Sequence, residues 1–378
     1  MVNVQDKSLC CGCEACSQIC PKHCIKMKQD NEGFLYPYVD SANCIDCKLC
    51  NKSCPILNTS DASQSKQDTY LGFIKEETVR LQSSSGGIFS ALCKTVLNTG
   101  GAVFGAAFDS DFLVHHICIH NEAELPLIYG SKYLQSRIEE TYSEAKTVLE
   151  EGHLVLFSGT GCQIAGLKSY LKKDYPKLYT VDILCHGVPS PKLWKHYLAD
   201  QERSHGAAVR RTFFRQKDFG WKKFVLSLEF ANDNAYVRIF KEDPYMQMFL
   251  KNICLRPSCH DCKFKAAYSQ ADITLGDAWG IEKYMPEMDD DKGCSLVLVH
   301  TEKGQKLLQE IQVNLVFAEA DLSKIRQPMI SQSVAPHPHR ERFFKALEKG
   351  ASIQQLSKIL ELSYAERAVR KVKRCFRT

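Results

Sequence analysis

Apolar and polar positions alternate in regular patterns along much of the chain, and the clearest stretch predicts a strand–helix–strand unit. An apolar run at His153–Ser158 is followed by a tight turn at Gly159–Cys162 and by helical periodicity over Gln163–Lys173. A second apolar run, Leu178–Leu184, predicts another buried strand. Because a helix connects the two strands, we expect them to be parallel neighbours in one sheet.

The same patterns predict further elements on both sides of this unit. Ser136 followed by Glu139 predicts a capping box that opens a helix ending near Glu151. Residues 211–240 predict strands with a hairpin around Asn232–Asn234, and residues 311–378 predict mainly helices that end in a basic segment. One more helix and four more strands are predicted, at Gly86–Leu97 and at Tyr70–Ile74, Ala102–Phe108, Ala271–Gly276 and Ser295–His300.

Composition narrows the class of protein. The chain has 378 residues, of which 44% are hydrophobic and 25% charged, as in ordinary globular proteins. A net charge of +5 is too small to indicate nucleic-acid binding. Met1–Leu9 is polar, and no apolar run is long enough to span a membrane. We therefore expect a cytoplasmic protein with no membrane span, in which 19 cysteines indicate metal or redox chemistry rather than disulfides.

The cysteines near the start of the chain follow one pattern twice, C-x2-C-x2-C-x3-C-P. This is the ligand run of bacterial-type ferredoxins with two [4Fe–4S] clusters, in which the fourth cysteine of each run binds the other cluster. The pattern predicts two ligand sets, Cys10, Cys13, Cys16 and Cys54, and Cys44, Cys47, Cys50 and Cys20. Two four-cysteine zinc sites are the alternative, although zinc sites more often use separated C-x2-C pairs. Cys11 and Cys24 fall outside the register, and we interpret them as small buried thiols.

Together these patterns predict a fold class and its domain boundaries. Residues 1–58 are expected to form an α+β, ferredoxin-like domain, and residues 59–68 a polar linker. Residues 69–310 are expected to form an α/β domain with a mixed, largely parallel sheet, and residues 311–378 a helical C-terminal extension.

A second group of cysteines belongs to the α/β region. Cys162 follows the first strand of the predicted unit and Cys185 follows the second, so both should emerge at the carboxyl edge of the sheet, where α/β proteins bind ligands. Cys259 and Cys262 form a C-x2-C pair. We predict that these four thiols hold a third [4Fe–4S] cluster. A zinc site at the C-x2-C pair, with Cys162 and Cys185 as plain buried thiols, is the alternative; Cys254 and His260 are possible substitute ligands.

Six phrases of the chain resemble one protein family, the β-subunit family of coenzyme F-420 hydrogenases and dehydrogenases, which also includes ferredoxin-dependent 7-hydroxymethyl chlorophyll a reductase. They run in order from the small-residue loop at residues 84–87 to residue 280, as SSGG, GSKYLQS, SGTGCQIAGL, DILCHGVPSP, LRPSCHDCKFK and ADITLGDAWG. The resemblance implies an FAD-containing iron–sulfur oxidoreductase and favours iron over zinc at the second group of cysteines. One position departs from it, because Gly161 stands where family members carry proline, which we expect to loosen the turn without removing a ligand.

Three segments are candidate flavin contacts. A small-residue loop before a helix can bind phosphate through free N–H groups, or can simply cap the helix. A lysine can neutralise a pyrophosphate and a tyrosine can stack on a ring, although both also suit an exposed helix start. The candidates are Ser84, Ser85, Gly86 and Gly87; Lys132, Tyr133, Gln135 and Ser136; and Gly159 with Thr160.

Two residues are candidates for catalysis. His186 follows the ligand Cys185 and suits proton transfer, because flavin reduction couples electrons to protons, although a hydrogen-bonded loop histidine is the plainer interpretation. Asp277 directly follows a predicted strand and is expected to line the active pocket, or else to end the strand in a turn. The expected partners are a ferredoxin or another redox protein and a small organic substrate; a non-catalytic electron-transfer subunit is the alternative function.

Overall fold

A computed structural model describes residue 2, residues 6–58 and residues 67–361. The predicted linker lies almost wholly outside the described residues, and so does the basic C-terminal segment. Among the described residues, no helix is both long and apolar enough to cross a membrane.

The described residues contain thirteen strands in three sheets. Their bounds are β1 (Ile25–Gln29), β2 (Leu35–Val39), β3 (Asp68–Ile74), β4 (Ala102–Phe108), β5 (Val114–Ile119), β6 (Val155–Thr160), β7 (Leu178–Ile183), β8 (Val209–Gln216), β9 (Val225–Phe230), β10 (Ala235–Ile239), β11 (Ile273–Asp277), β12 (Ser295–Val299) and β13 (Leu315–Glu319).

Twelve α-helices accompany these strands in the described part of the chain. They are α1 (Ala15–Gln18), α2 (Leu49–Lys52), α3 (Glu77–Gln82), α4 (Ile88–Leu97), α5 (Leu125–Ile128), α6 (Thr141–Glu150), α7 (Gly161–Leu171), α8 (Pro191–His205), α9 (Pro244–Leu250), α10 (Glu302–Ile311), α11 (Arg340–Glu348) and α12 (Ile353–Lys358).

The largest sheet is mixed and has eight strands in the order β13-β3-β12-β11-β7-β6-β4-β5. Its centre is parallel: β4 pairs with β6, β6 with β7, and β7 with β11. The outer pairs are antiparallel, yet five of the eight strands run in the same direction. The mixed sheet and the parallel strand–helix–strand unit predicted from the sequence are therefore confirmed. All five residues of β12 are buried, as expected of a strand inside a sheet that is covered on both faces.

A smaller antiparallel sheet, β10-β9-β8, contains the predicted hairpin. The chain turns at Asp233, which has a positive φ of 60°, and Asn232 Oδ1 accepts a hydrogen bond from the Asn234 amide within the turn. Aspartate and asparagine favour such turns because their short side chains bond the local backbone.

The predicted capping box at Ser136 and Glu139 is wrong. Helix α6 begins only at Thr141, and no side chain of its own N-cap residue closes it. Ser136 Oγ instead bonds His116 Nδ1 at 2.7 Å, and Glu139 accepts hydrogen bonds from Arg137. The free N–H groups at this helix start donate hydrogen bonds to side chains of the N-terminal domain, more than a hundred residues away in the sequence.

The C-terminal extension, predicted to be mainly helical, also contains a strand. Residues 315–319 form β13, which adds an antiparallel edge strand beside β3. Only Leu315 of this strand is fully buried, so its sequence lacks the apolar run of a central strand. The helices α11 and α12 follow it, as the pattern predicted.

The N-terminal domain packs against the α/β domain over a broad area. Two short helices and the β1–β2 hairpin make up its secondary structure. Glu14 is buried and accepts hydrogen bonds from the Ile138 and Glu139 amides at 3.1 Å. Phe34, at the hairpin, has no exposed surface and belongs to the same apolar core as Trp194 of α8. The domain is therefore integrated into the fold rather than appended to it.

Candidate functional site

Four cysteines line one cavity at the carboxyl edge of the parallel strands. Cys162 lies in the first turn of α7, directly after β6, and Cys185 lies two residues after β7. Cys259 lies in the turn Pro257–Asp261, and Cys262 follows that turn. The cavity is open to solvent. The structure thus brings together the four thiols that the sequence predicted as one ligand set.

The backbone around Cys162 is held more firmly than the predicted turn. A capping box joins Thr160 and Gln163, so β6 runs to Thr160 and α7 begins at Gly161. A Cβ atom at Gly161 would lie 2.5 Å from the carbonyl oxygen of Phe264. The glycine therefore allows the C-x2-C segment to approach the helix start closely.

Donor groups surround the sulfur atoms of this set. The Val188 amide donates to Cys259 Sγ and the Phe264 amide to Cys262 Sγ, each at 3.4 Å. Thr160 Oγ1 lies 3.1 Å from Cys162 Sγ. Lys265 is only 4% exposed and donates to the Cys185 carbonyl at 3.0 Å, which places a buried positive charge beside the set. Such hydrogen bonds and charges are those that stabilise thiolate ligands and tune iron–sulfur clusters.

Burial governs the state of these thiols in the absence of a metal. It raises the pKa of Cys259 to about 12, and it raises the pKa of Cys185 as well, because a thiolate is poorly solvated there. A coordinated metal would reverse this preference, since it deprotonates a thiol outright. The site is thus suited to a cationic centre and unsuited to free thiolates.

The first N-terminal ligand set is also gathered in space. Cys13 is buried, while Cys10, Cys16 and Cys54 are half-buried. Burial raises the pKa of Cys16, and the nearby thiols of Cys10 and Cys54 raise it further. The structure therefore places Cys54, from the second run, beside members of the first run.

The second N-terminal set lines a separate, small cavity. Cys20, Cys44, Cys47 and Cys50 all contribute to its wall, and Cys47 is exposed to solvent. Ile45, between two of these cysteines, is 58% exposed. This set lies nearer to the surface than the first.

The structure gives a place to two thiols that sequence reasoning had set aside. Cys11 lines the cavity of the third set, and its thiol is the first cause of the raised pKa of Cys162. Cys24 Sγ lies 3.4 Å from Cys20 Sγ, in the second N-terminal set. No spacing rule identifies either residue, because each is brought to its site by the fold of the loop around it.

The thiols face shared cavities without converging on a point. Within the described ranges, no three cysteine, histidine, aspartate or glutamate side chains are arranged as ligands of a single ion.

Several predicted flavin contacts and one predicted catalytic residue meet at Arg215, which sequence reasoning missed. Its guanidinium pairs with both carboxylate oxygens of Asp277, at 2.8 and 3.1 Å. It also donates to the Tyr133 hydroxyl at 3.1 Å and to the Ser84 carbonyl at 3.0 Å. Ser131 Oγ donates to Ser84 Oγ at 2.8 Å, so the two predicted flavin segments touch. Asp277 is therefore held in an ion pair, and its role as a catalytic group remains a prediction.

The other predicted flavin residues are divided between separate places. Ser85 Oγ donates to the Cys294 carbonyl, and the Gly86 amide donates to Ser295 Oγ, which ties this part of the loop to β12. Gln135 Nε2 donates to the Cys11 carbonyl at 3.2 Å. Ser136 Oγ lies 2.7 Å from His116 Nδ1, and Gly159, the penultimate residue of β6, lies beside the same histidine.

The start of α4 at Gly87 and the amino group of Lys132 can each form further hydrogen bonds. Gly87 has a left-handed conformation and precedes α4 without any side-chain cap. Lys132 is half-buried and donates to the Tyr129 carbonyl at 2.8 Å, and burial lowers its pKa to about 7.

His186 lines the third cavity, with Nε2 at 2.6 Å from Asn252 Oδ1, and burial lowers its pKa. Its imidazole is therefore neutral near pH 7.

Comparisons with known proteins match two parts of the chain. Residues 152–324 match the model for the carboxyl-terminal part of the coenzyme F420 hydrogenase/dehydrogenase β-subunit, and residues 9–57 match a 4Fe–4S dicluster domain. Residues 152–324 therefore form a region of this β-subunit type, and residues 9–57 form a dicluster domain. The dicluster domain supports two [4Fe–4S] clusters in its N-terminal part, so the family and these two clusters predicted from the sequence are confirmed. The chain thus combines an iron–sulfur dicluster domain with a region similar to the F420 hydrogenase/dehydrogenase β-subunit.

Two individual proteins are similar to parts of this chain. An uncharacterized ferredoxin of Methanocaldococcus jannaschii is 36% identical over 52 residues, which are 14% of this chain and 66% of the ferredoxin. A chain of the F420-reducing [NiFe] hydrogenase complex of Methanosarcina barkeri is 17% identical, with a TM-score of 0.49 over 79% of this chain and 92% of that chain.

Proposed function

We propose that this protein is an iron–sulfur flavoprotein oxidoreductase that moves electrons between a ferredoxin-type carrier and a small organic substrate. The observation that carries the proposal is the cavity at the carboxyl edge of the sheet. It is lined by the third set of four thiols and reaches Cys11 of the first N-terminal loop. Two cysteine sites that meet in this way suit a route for single electrons through the protein.

We further propose a third [4Fe–4S] cluster at Cys162, Cys185, Cys259 and Cys262. Four thiolates are the ligand set of such a cluster. These four thiols line one shared cavity, as the ligands of a single cluster must. The amide donors to sulfur and the buried Lys265 suit the negative charge of a thiolate-bound cluster.

FAD is the proposed organic cofactor, and three features fit its pyrophosphate. The uncapped start of the ten-residue helix α4 leaves backbone N–H groups free for an anion. Lys132 has no carboxylate partner among the described residues, and an anion beside it would restore its charge. Arg215 is buried, and its Nε atom has no hydrogen-bond partner among the described residues. When bound, FAD would exchange single electrons with one partner and a hydride with another.

The substrate would react beside this set of residues. We propose His186 as the group that transfers a proton, because its neutral ring lines the cavity and Asn252 fixes its orientation. Asp277 would keep Arg215 in place through the ion pair at 2.8 Å. The resemblance of the chain to its family suggests a ferredoxin or another redox protein as electron partner.

Metal and flavin analysis after anaerobic purification tests the proposal. We expect about twelve iron atoms, about as many sulfides, and one FAD per chain. Cys162→Ala and Cys259→Ala should each remove about four iron atoms and leave the N-terminal clusters intact. Cys254→Ala is the matched control, because Cys254 belongs to the same segment but lies in the apolar core. About eight iron atoms with one zinc would refute the third cluster.

The family description, a β-subunit, favours a second candidate function, a non-catalytic electron-transfer subunit of a larger complex. The two functions differ in what the isolated chain can do. An oxidoreductase should bind flavin and turn over an electron acceptor with reduced ferredoxin alone. If the isolated chain binds no flavin and is active only with its partner chain, the second function replaces the first. Lys132→Met should lower the flavin content without changing the iron content.

A further inference from the structure

Arg256 lies at the junction between the first N-terminal cysteine loop and the segment that carries Cys259 and Cys262. It has no exposed surface, although it is one of the largest and most polar side chains of the chain. Its Nε donates to the Cys10 carbonyl at 2.8 Å, and its Nη2 donates to the Leu35 carbonyl at 2.9 Å. The same Nη2 lies 3.6 Å from Cys10 Sγ, within hydrogen-bond reach of a sulfur acceptor.

The hydrogen-bond partners of Arg256 in the described part of the chain include no carboxylate. Its remaining hydrogen bond, from Nη1, goes to Gln135 Oε1 at 2.9 Å, and its guanidinium stacks on the ring of Tyr36 at 4.2 Å. Among the described residues, none of its hydrogen bonds ends on aspartate or glutamate. A buried cation without a counter-charge is strongly destabilising, so a fully buried arginine needs an anion beside it. A thiolate at Cys10, bound to a cluster, is that anion.

We propose that Arg256 raises the reduction potential of the first N-terminal cluster, the one held by Cys10, Cys13, Cys16 and Cys54. The inference rests on the proposed assignment of these ligands. Reduction adds one negative charge to a cluster, and hydrogen bonds to the sulfurs, burial and net charge set its potential. A buried guanidinium that donates to Cys10 Sγ stabilises the reduced form through both the bond and the charge.

The position of Arg256 determines in which direction the raised reduction potential would move an electron. The second N-terminal set has an exposed cysteine, Cys47, whereas the first set lies beside the third cavity through Cys11. A higher potential at the first cluster would therefore draw an electron away from the surface and toward the third set. Arg256 is thus a positioning and tuning residue for electron transfer rather than a catalytic one.

Potentiometric titration followed by electron paramagnetic resonance tests the inference on the full chain. Arg256→Gln should lower the midpoint potential of the first cluster by at least a tenfold change in its one-electron equilibrium, which is about 59 mV. Arg256→Lys keeps the charge but loses the fork of donors, so a smaller fall is expected. The first cluster is assigned as the signal that Cys13→Ser removes. The potential of the second N-terminal cluster should stay unchanged, whereas that of the third should fall by less than that of the first, because the charge of Arg256 also acts on Cys162 and Cys259.

Arg340→Gln is the matched control. Arg340 also connects the 255–265 segment to the N-terminal domain, because it donates to the Leu255 carbonyl at 2.8 Å and pairs with Glu32 at 2.7 Å, but none of these hydrogen bonds reaches a cysteine. It should leave the potential unchanged. An unmoved potential in both Arg256 variants, or an equal fall in Arg340→Gln, would overturn the inference. If Arg256→Gln fails to assemble the first cluster, Arg256→Lys decides by the same measurement. Absence of the first cluster from the wild type would instead refute the proposed function.

Discussion

The contact between α7 and the first N-terminal loop yields a prediction with a worked magnitude. Gly166 lies on the face of α7 that meets Cys13, and a Cβ atom placed there would be 2.8 Å from Cys13 Cβ and 2.8 Å from the Tyr142 hydroxyl. Carbon atoms in contact prefer about 3.5–4.0 Å, so Gly166→Ala must push Cys13 or the helix aside by about 1 Å. Cys13 Cβ cannot rotate away, because it is fixed to the backbone of its loop.

The expected change in global stability is small, whereas the local change is large. Overpacking costs about 1–3 kcal/mol, but alanine favours a helix over glycine by about 1 kcal/mol. Gly166→Ala should therefore lower the free energy of unfolding by roughly 0–2 kcal/mol. A ligand displaced by about 1 Å should weaken the first cluster much more, and iron per chain should fall from about twelve toward about eight.

The assay is iron and sulfide content after anaerobic reconstitution, read beside urea unfolding of the same samples. Gly304→Ala is the matched control, since Gly304 also lies in a helix and its added Cβ would be 2.5 Å from the Asp272 carbonyl, within the α/β domain. The control should lose stability and keep its iron. Full iron in Gly166→Ala, or equal iron loss in both variants, would refute the reasoning.

Three further predictions concern other parts of the molecule. Asp277→Ala should lower the free energy of unfolding by about 3–5 kcal/mol, because it leaves the Arg215 guanidinium, 4% exposed, as a buried charge without its partner. Urea unfolding should show that the free energy of unfolding recovers when Arg215→Met is added. No recovery would contradict the ion-pair argument. Burial lowers the pKa of His116 to about 4 from an ordinary value of 6.5, so its stabilising contribution is complete above pH 6.5 and is lost as the pH falls toward 4, by about 3 kcal/mol in total. When the pH changes from 7.5 to 5, the free energy of unfolding of His116→Gln, measured by urea titration, should therefore fall by less than that of the wild type. An equal fall would exclude this histidine as the source of the pH dependence. Mild oxidation with a chelator should remove the exposed second N-terminal cluster first, because its ligand Cys47 is exposed whereas Cys13 of the first set is buried; simultaneous loss of both signals would speak against this order.

The sequence predicts those parts of the fold that depend on local pattern. The apolar runs that become β6 and β7, with helical periodicity between them, determine a parallel pair, and the carboxyl ends of such a pair lie at one edge. The meeting of Cys162 with Cys185 follows from that rule. The C-x2-C pair could be recognised from its spacing, but its place beside the other two thiols depends on the path of residues 186–258, which no local pattern gives.

The features that sequence reasoning missed depend on contacts between distant residues. Helix α6 begins later than the capping box predicted, since Glu14 and Gln18 of the N-terminal domain accept hydrogen bonds from the backbone at its start. Arg215 and Asp277 lie 62 positions apart, and neither belongs to a motif that indicates the other. Polar groups of this kind are satisfied across the fold, whereas periodicity reports only on which residues of one element are buried.

Two glycines explain why the N-terminal domain is an integral part of the site. A Cβ atom at Gly12 would lie 2.5 Å from Gln135 Nε2 and 2.8 Å from Arg256 Nη1, and one at Gly166 would meet Cys13 from the other side. Gly12 also has a positive φ of 68°, a conformation that disfavours any side chain. The loop that carries Cys10 and Cys13 is therefore held between two surfaces that no larger residue would allow to approach. Both surfaces belong to segments that adjoin the third cavity. The two cysteine sites can therefore lie this close together only because Gly12 and Gly166 have no side chains.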